Sequence, residues 1–440
     1  MSSQMSITFT SQANVLETVV EVLSNHKTDD YYAYERGEYW YIGIGSRSSL
    51  VIDSQGQTVT VNSESGQASR SINGTSIADT AREFTTNHLK SGFRIFGQVG
   101  FNYAAHILGQ EYTPGNWPLL ALLVPRLELV LHRDTTILKG VDEEVKALSD
   151  SIQNSTGIST FQNIRPINTE DRRNYTATVE NALSDISAGY YKKVIPSRTV
   201  EIPHKVNMPA TLLTGRRPNN PARSFSLNHA GYQATGFSPE VVVSVNNKRI
   251  STEPLAGTRS SAGSKEEVSK LGEELLHDPK EIVEHVVSVR EAITELQRLC
   301  PRDTVKIEDF MSIRTRGSVQ HLGSRITGIL SPEKDIWDAF DVVFPSITAS
   351  GIPKHAALEA IQRLEDQPRE LYSGAVIMIE DLESFEAALV LRTVFQDRNR
   401  AWIQAGAGVI SQSNPQRELT ETCEKLASIA PFVIPDVGPT

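Results

Sequence analysis

The fold class is decided by residues 225–299, in which short strand-like runs are followed by one long helix. The runs read FSL at 225–227, VVVSV at 241–245 and IST at 250–252, and DPKEIVEH at 278–285 then opens the helix. Such runs between polar segments predict a meander of strands, whereas Asp before Pro is typical of a first helical turn. Strands mixed with helices in this order favour an α+β layered protein over a strict βαβ series.

Elements of the same kinds extend from this segment in both directions. Residues 1–165 are strand-rich and end in a polar linker candidate at 149–163, and residues 166–435 mix helices with strands. We predict one structural domain, in which 1–165 completes the fold of a catalytic region at 166–435. The individual predictions are strands at 39–45, 49–53, 127–131, 193–202, 318–329 and 387–395, turns at 46–48 and 54–57, and helices at 171–187, 353–364 and 415–429.

The composition is that of an ordinary globular protein with an acidic balance. Of 440 residues, 39% are hydrophobic and 22% are charged, and the net charge is −10. This charge disfavours nucleic acid and anionic membranes as partners. The two cysteines, Cys300 and Cys423, cannot form a disulfide framework. The densest apolar run, 119–124, is too short to span a bilayer, and residues 1–10 do not resemble a signal peptide. We therefore expect a monomer in the cytoplasm.

Two helix starts each carry a pair of glutamates three residues apart. Glu281 and Glu284 follow an Asp-Pro start, and Glu418 and Glu421 follow an Asn-Pro start. One such pair alone indicates a helix cap and a solvated face, and Lys425 alone would indicate a surface ion pair with Glu421. The duplication suggests a site, because four converging carboxylates repel one another unless a hard divalent cation such as Mg²⁺ lies among them.

Apolar residues predict which faces of these two helices are buried. The predicted core stripe of the first helix is Ile282, Val286, Val289, Ile293 and Leu296, and that of the second is Leu419, Cys423, Leu426 and Ala430. The glutamate pairs are expected beside these stripes, facing a shared cleft.

Other residues could bind or transfer charge. AGAG at 405–408 would let backbone amides approach an anion, although tight packing explains it equally well. Arg392 lies in an apolar run, where it needs a carboxylate partner from the protein or from a substrate. Lys193 and Glu240 are unremarkable if exposed. Burial would lower the pKa of the lysine and raise that of the glutamate, so that they could serve as base and acid.

These residues belong to a series of eight motifs that resembles the chorismate-utilising enzymes, the family of anthranilate, aminodeoxychorismate, isochorismate and salicylate synthases. The motifs are KVI at 193–195, GFSPE at 236–240, EPLAGTR at 253–259, KEIVEH at 280–285, GSVQHL at 317–322, TASGIPK at 348–354, GAG at 406–408 and ELTETCEK at 418–425. The resemblance covers about residues 170–435. It implies the chorismate-binding fold of anthranilate synthase component I, with two antiparallel sheets and helices outside.

Details of the motifs resemble the salicylate synthases of siderophore pathways. Ala256 stands where aminodeoxychorismate synthases carry Lys. Lys193 stands where anthranilate synthases usually carry Gln, which suits activation of water instead of ammonia. TASGIPK at 348–354 and LYSG at 371–374 look most like salicylate synthases. Pro196 departs from the Leu often found there, and in a central strand it would remove a backbone donor.

The resemblance implies a reaction and a role for each residue. Chorismate would be converted with Mg²⁺ to isochorismate and then to salicylate and pyruvate, without a glutaminase subunit. Lys193 would take a proton from the attacking water, and Glu240 would protonate the leaving hydroxyl. The Mg²⁺ ligands would be Glu284 and Glu421 directly, with Glu281 and Glu418 acting through water. The substrate-binding residues would be Thr258, His321, Thr348, Tyr372, Arg392, Gly406, Gly408 and Lys425.

Three other interpretations stay open. The first is an isochorismate synthase that stops after one step. The second is an anthranilate-type synthase with a glutaminase partner, which Lys193 disfavours. The third is a catalytically silent sensor of chorismate, which the intact acid, base and carboxylates disfavour. For His321, a packing role is as open as a pocket role.

Overall fold

Strands from all parts of the chain join one large antiparallel sheet, and the two short strands at 193–194 and 351–352 pair with each other as a separate two-stranded sheet. The computed structural model describes residues 4–10, 14–64, 66–72, 74–154, 165–171 and 174–436. The strands in these residues are β1 Gln4–Phe9, β2 Tyr31–Arg36, β3 Tyr39–Ile52, β4 Thr58–Ser63, β5 Gly66–Ser71, β6 Ile95–Val99, β7 Leu120–His132, β8 Thr135–Val141, β9 Lys193–Val194, β10 Ser197–Ile202, β11 Arg223–His229, β12 Tyr232–Ser238, β13 Val241–Asn246, β14 Arg249–Thr252, β15 Leu255–Ser260, β16 Lys306–Arg316, β17 Val319–Ile329, β18 Gly351–Ile352, β19 Ala375–Asp381, β20 Ser384–Leu389, β21 Thr393–Gln396 and β22 Ala401–Gly406.

Helices cover the outer faces of this sheet. They are α1 Val15–Asn25, α2 Ile77–His88, α3 Tyr103–Ile107, α4 Asp142–Gln153, α5 Tyr175–Ser187, α6 Met208–Arg216, α7 Lys265–His277, α8 Pro279–Leu296, α9 Ile336–Val343, α10 Lys354–Leu364 and α11 Pro415–Leu426. No helix in the described ranges is long and apolar enough to cross a membrane.

Two arms of the sheet spread from the long pair β3–β7. One arm continues from β3 through β2, β11, β12, β21 and β22 to β10. The other continues from β7 through β6, β19, β20, β13 and β14 to β17, which also pairs with β15 and β16. Strands of the first 165 residues therefore pair directly with later strands at β2–β11 and at β6–β19.

The core occupies three layers. Aromatic residues such as Tyr32, Phe96 and Phe225 pack between the two arms. A second apolar cluster lies between one arm and helices α1, α4 and α6, and a third lies under α2, α9 and α10. Because both faces of the sheet are buried, β7 is apolar along nearly its whole length instead of alternating. The predicted α+β class is confirmed, and hydrogen bonds join the two predicted sheets into one.

Several predicted boundaries differ from the structure. Residues 39–52 form one strand, because the predicted turn at 46–48 is a bulge in the β3–β7 pairing. The predicted strand at 193–202 is broken around Pro196, whose carbonyl oxygen accepts a hydrogen bond from the Tyr175 hydroxyl. The missing proline N–H therefore lies outside any ladder. Of the predicted linker 149–163, residues 149–153 are helical, 154 ends the helix, and 155–163 lie outside the described residues.

The buried faces of α8 and α11 differ in part from the predicted stripes. Val286 is 42% exposed, whereas His285 and Ser288 are buried together with the two glutamates of α8. Cys423 on α11 is also exposed, although Leu426 is buried. The period identified the helices correctly. Val289, Leu296 and Leu426 of the predicted stripes are buried as expected. The prediction was wrong at Val286 and Cys423, because polar side chains of the same helices turn inward, where other buried polar groups contact them.

Candidate active site

A pocket lies where the ends of β15, β17 and β22 meet helices α8 and α11. Most of the residues predicted for the site line it, namely Thr258, Glu284, His321, Thr348, Tyr372, Arg392, Gly406, Gly408, Glu421 and Lys425. The other predicted residues, Lys193, Glu240, Glu281 and Glu418, are buried behind its wall. The structure thus brings the whole predicted set to one place.

Helix capping fixes the two glutamate pairs. The Asp278 carboxylate accepts hydrogen bonds from the backbone N–H groups of Lys280 and Glu281, and Asn414 caps α11 in the same way. Proline follows each cap, as the sequence predicts. Because the two helix starts converge on the pocket, both glutamate pairs face inward and are buried.

The Lys280 ammonium lies among the glutamates. Its Nζ is 3.1 Å from Glu284 Oε2, 3.4 Å from Glu418 Oε1 and 3.6 Å from Glu281 Oε2. Burial alone would lower the pKa of Lys280, but the surrounding carboxylates outweigh it and raise this pKa. The mutual repulsion of the glutamates is therefore offset in part by a side chain of the chain itself.

The four carboxyl groups differ in how well they are compensated. Burial raises the pKa of Glu418 to about 7 and also raises that of Glu281. At Glu284, burial would raise the pKa, but Lys193 and Lys280 outweigh it and lower the pKa. Glu421 is held ionised in the same way by Lys425 and Lys280. Glu281 also pairs with Arg259 at 3.1 Å, so Glu418, whose ion-pair contact in the described residues is Lys280 at 3.4 Å, is the least compensated of the four.

The donor atoms of this cluster fit a hard divalent cation. Glu281 Oε2 and both carboxyl oxygens of Glu418 are buried and have no hydrogen-bond partner within the described ranges. Oxygen atoms are the ligands that Mg²⁺ prefers. As the side chains stand, no three acidic, histidine or cysteine groups of the described residues are arranged to hold a metal. Binding would require the carboxylates to draw closer together.

The opposite side of the pocket holds a buried cation. Arg392 is 6% exposed and lies in the break between β20 and β21, with φ of 52°, and not inside a strand as predicted. It donates to the Arg316 carbonyl oxygen at 2.7 Å and to His321 Nε2. No carboxylate in the described part of the chain pairs with it, and burial lowers its pKa to about 9. An unpaired buried guanidinium favours an anionic ligand.

The neutral state of His321 allows this arrangement. His321 Nδ1 lies 2.8 Å from the Gly257 carbonyl oxygen, so we assign the hydrogen to Nδ1 and leave Nε2 to accept from Arg392. Burial and the charges of Arg392 and Lys425 lower the pKa of His321 well below its usual value. His321 therefore lines the pocket and also forms a hydrogen bond with Arg392, so it combines the pocket role and the packing role that the sequence left open.

Lys425 and the glycine-rich turn connect the two sides. Lys425 Nζ lies 2.8 Å from Glu421 Oε1 and 2.8 Å from the Gly406 carbonyl oxygen, inside the pocket wall. A side chain at Gly408 would lie 2.2 Å from Glu284 Oε1, so only glycine leaves room for that carboxylate. The Ala407 N–H donates to the Tyr175 hydroxyl. The Ala407 amide is therefore already engaged, and Gly406 and Gly408, the two residues predicted for anion binding, are the ones that line the pocket.

Lys193 and Glu240 are both buried, but Lys193 has a carboxylate partner whereas the Glu240 side chain accepts a hydrogen bond from a hydroxyl group. Lys193 donates to Ser288 Oγ at 3.0 Å and contacts Glu284 Oε1 at 3.0 Å. Glu240 Oε1 accepts from Ser346 at 2.5 Å, and its Oε2 has no hydrogen-bond partner in the described residues. Burial raises the pKa of Glu240 to about 8 despite the hydrogen bond from Ser346. A protonated carboxyl at neutral pH is suited to general acid chemistry.

The remaining predicted residues shape the wall. Thr258 Oγ1 donates to Glu421 at 3.1 Å, and Thr348 Oγ1 donates to the Leu255 carbonyl oxygen at 3.1 Å. The Tyr372 side chain is buried, and its ring lies 5.6 Å from the Arg369 guanidinium. All three side chains line the pocket, where a substrate could contact them. In the structure, the hydroxyls of Thr258 and Thr348 form their hydrogen bonds with other residues of the chain.

Sequence reasoning missed three functional neighbours. Lys280 had a signal, because it lies four residues before Glu284 on a helix. Ser288 had a weaker one, since it is four residues after Glu284 and its hydroxyl bonds back to the Glu284 carbonyl oxygen. Ser346 lies in an irregular segment far from Glu240 in sequence, and no local pattern marks it.

A family profile described as chorismate binding enzyme matches residues 29–431. The chain belongs to this family. The family match begins well before residue 170, where the motif resemblance begins, so much of the N-terminal part belongs to the family as well. A chorismate-utilising enzyme with a small-molecule substrate is thereby established.

Relatives within the family differ in how much of the chain they match. A salicylate synthase from Mycolicibacterium paratuberculosis is 36% identical over 96% of this chain and 94% of that protein. An anthranilate synthase component 1 from Mycolicibacterium smegmatis is 33% identical, but over 71% of this chain and 65% of that protein.

Solved structures of the family share the fold. The menaquinone-specific isochorismate synthase from Escherichia coli has a TM-score of 0.74 at 21% identity, with 98% of this chain and 95% of that chain covered. Anthranilate synthase component I from Streptococcus pneumoniae has a TM-score of 0.71 at 24% identity, with 90% and 92% covered.

Proposed function

We propose that this chain converts chorismate, through isochorismate, into salicylate and pyruvate. The observation that carries the proposal is the charge arrangement of the pocket, with the unpaired Arg392 on one side and the glutamate cluster on the other. Chorismate carries two carboxylates, one on its ring and one on its enolpyruvyl group. The salicylate synthase relative, which matches nearly the whole chain, supports this end product over anthranilate.

The first step would place each residue in a distinct role. Arg392, with the hydroxyl of Tyr372 and the amides of Gly406 and Gly408, would hold the enolpyruvyl carboxylate. Lys193 would accept the proton of the water that attacks C2, and Glu240 would give its proton to the hydroxyl that leaves C4. The unpartnered Oε2 of Glu240 is the oxygen that fits this proton.

The glutamate cluster would hold Mg²⁺ through Glu284 and Glu421, with Glu281 and Glu418 acting through water. The cation would compensate the charge of the substrate's ring carboxylate. Lys425 and Thr258 hold Glu421 in position, and His321 keeps Arg392 directed at the pocket.

In the second step the C3–O and C2–H bonds break, and the C2 hydrogen passes to the methylene carbon of the enolpyruvyl group, so that pyruvate leaves and the ring becomes the aromatic ring of salicylate. This step needs no external nucleophile, and the apolar part of the pocket wall, formed by Ile195, Leu255 and Leu391, fits the aromatic ring that results. Thr348 and Tyr372 would confine the isochorismate formed in the first step until these bonds break.

The test is product analysis with the purified chain, chorismate and Mg²⁺. Salicylate fluorescence and pyruvate in equal amounts, without a glutaminase subunit, would support the proposal. Isochorismate alone would favour an isochorismate synthase, and anthranilate with an ammonia source would favour that branch. Retained chorismate binding without any product would identify a sensor. Sedimentation of the same sample tests the expected monomer.

We further propose that the salicylate enters siderophore biosynthesis in the cytoplasm, as the resemblance implies. Deleting this chain's gene should then abolish a salicylate-containing siderophore, and added salicylate should restore it. A siderophore unchanged by the deletion would contradict this role without affecting the enzymatic proposal.

Arg392→Met should lower kcat/KM for chorismate without lowering the melting temperature. Losing one partner of a buried charge pair costs about 2–5 kcal/mol of binding, whereas the free enzyme loses only a cation that lacks a carboxylate partner. Arg369→Met is the contrasting variant, because Arg369 pairs with Glu365 and binds the Ala349 carbonyl oxygen. It should lower the melting temperature. A destabilised Arg392→Met with normal kcat/KM would show that Arg392 is structural.

Chorismate consumption should fall as the pH rises through about 8. Glu240 acts in its protonated form, and its pKa of about 8 leaves it protonated at lower pH. Log kcat/KM for chorismate at saturating Mg²⁺ should therefore decline above this pH. Isochorismate supplied as substrate should not show this decline, since its conversion needs no acid at C4. An identical decline for both substrates would remove Glu240 from the role of acid.

A further inference from the structure

Lys280 has a position that the reaction steps do not explain. It reaches three glutamates from two helices, and in the described part of the chain it is the only basic group within 4 Å of Glu418. Its side chain is 16% exposed, so it is not an ordinary solvated helix pair with Glu284. The ammonium lies where the carboxylates of α8 and α11 face one another.

We propose that Lys280 is a tethered competitor of the divalent cation, which must displace its ammonium from the glutamates to bind. This inference rests on the proposed metal site. An ammonium and Mg²⁺ seek the same carboxylate oxygens, and two cations at this spacing repel each other. The present arrangement of the glutamates, in which no three groups are set to hold a metal, agrees with a cluster organised around an ammonium.

Displacement requires only side-chain motion. Lys280 lies in the first turn of α8, its backbone N–H is held by the Asp278 cap, and its flexible stem has an exit to solvent. Rotation about its side-chain bonds can remove the ammonium while the cap and the helix stay in place. Glu284 and Glu418 then lose their contact with the ammonium and can draw closer around a cation.

Lys280→Met should therefore tighten Mg²⁺ binding in the absence of substrate. The dissociation constant from calorimetric titration should fall at least about tenfold, because the competing ammonium is mostly buried among its carboxylates and is not a solvated surface partner. In a chelator the variant should melt at a lower temperature than the wild type, because the glutamates lose their ammonium. Lys270→Met is the matched control, since Lys270 is 77% exposed and pairs only with Glu274 on α7 within the described residues. It should leave the Mg²⁺ affinity unchanged.

The outcomes separate this inference from the proposed function. An unchanged or weaker Mg²⁺ affinity in Lys280→Met, with normal binding by the wild type, would overturn the competition and leave the proposed function standing. No Mg²⁺ binding by either protein would overturn both. If the variant does not fold, acetylation of Lys280 in the wild type decides, followed by mass spectrometry. Mg²⁺ should speed this acetylation, and an unchanged rate would overturn the proposal.

Discussion

Glu284→Gln should abolish Mg²⁺-dependent turnover of chorismate and should also lower the melting temperature. Glutamine has the same shape but neither the charge nor the ligand strength of the carboxylate. Glu284 contacts both Lys193 and Lys280, and removing one partner of a buried pair costs about 3–5 kcal/mol. The same loss in the transition state corresponds to a fall in kcat/KM of roughly 10² to 10³-fold or more.

Glu421→Gln should also abolish Mg²⁺-dependent turnover and lower the melting temperature, because it leaves the Lys425 ammonium beside a neutral amide instead of its carboxylate. Glu418→Gln is the matched contrast. Burial already holds the pKa of Glu418 at about 7, and its oxygens lack hydrogen-bond partners in the described residues. A neutral amide there should cost less activity and should not lower the melting temperature.

The measurements are kcat/KM as a function of Mg²⁺ concentration and thermal melting of the three variants. A rightward shift of the Mg²⁺ curve in Glu418→Gln, with a loss that excess Mg²⁺ partly restores, would fit an indirect ligand. Full activity of Glu284→Gln or Glu421→Gln at limiting Mg²⁺ would contradict the assignment of direct ligands.

The structure changes the melting temperature that the sequence would predict for Glu284→Gln. From the motif alone, Glu284→Gln is expected to leave the fold untouched, as loss of a metal ligand would. The structure shows that Glu284 is also the counter-ion of a fully buried lysine, so the same substitution removes structural stabilisation. The two effects can be separated by melting the wild type and the variant in a chelator, where bound Mg²⁺ contributes no stabilisation and only the loss of the ion pairs remains.

The sequence predicted the local features of the site, namely where its two helices begin and which residues lie on the same side of each helix. Asp278-Pro279 and Asn414-Pro415 identify the helix starts, and the spacing of the glutamates places each pair on one side of its helix. Spacing cannot tell which side faces the interior, because that depends on elements far along the chain. The exposed Val286 and the buried Ser288 show the consequence.

Non-local contacts decided the rest of the site. Ser346 reaches Glu240 across about a hundred residues of sequence, and Arg392 turns into the pocket because the chain breaks between β20 and β21. Neither feature has a local signature of the kind that a cap or a period provides. The resemblance to the family, carried by eight motifs in the same order, predicted that these distant residues meet in one site. The spacing of residues within a single helix could not predict this.

Lys193→Gln should stop the formation of isochorismate while leaving the release of pyruvate from supplied isochorismate largely intact. Lys193 is 1% exposed, and its ammonium is bound by Glu284 and by the Ser288 hydroxyl. Glutamine can keep a hydrogen bond to either group, but its amide cannot accept a proton from the attacking water. The second step needs no such acceptor.

The proposed role of Lys193 as a base must be tested without disturbing its ion pair with Glu284. A substitution that removes the cation also removes that ion pair. Lys193→Arg is therefore an informative partner variant, because arginine keeps a cation beside Glu284 but stays protonated. It should preserve the melting temperature better than Lys193→Gln and should be equally unable to form isochorismate.

The ratio of the two rates distinguishes a base from a structural lysine better than either rate alone. A structural role predicts that both substrates lose activity together, in proportion to a fall in melting temperature, because Glu284 and the pocket wall would shift for both. A base for the first step predicts a large loss with chorismate and a small one with isochorismate at the same melting temperature. Undiminished rates with both substrates would show that another group activates the water. Buried Glu284 still contacts Lys280 in the variant, so the pocket keeps one of its two cations at that carboxylate, and the comparison between substrates stays interpretable.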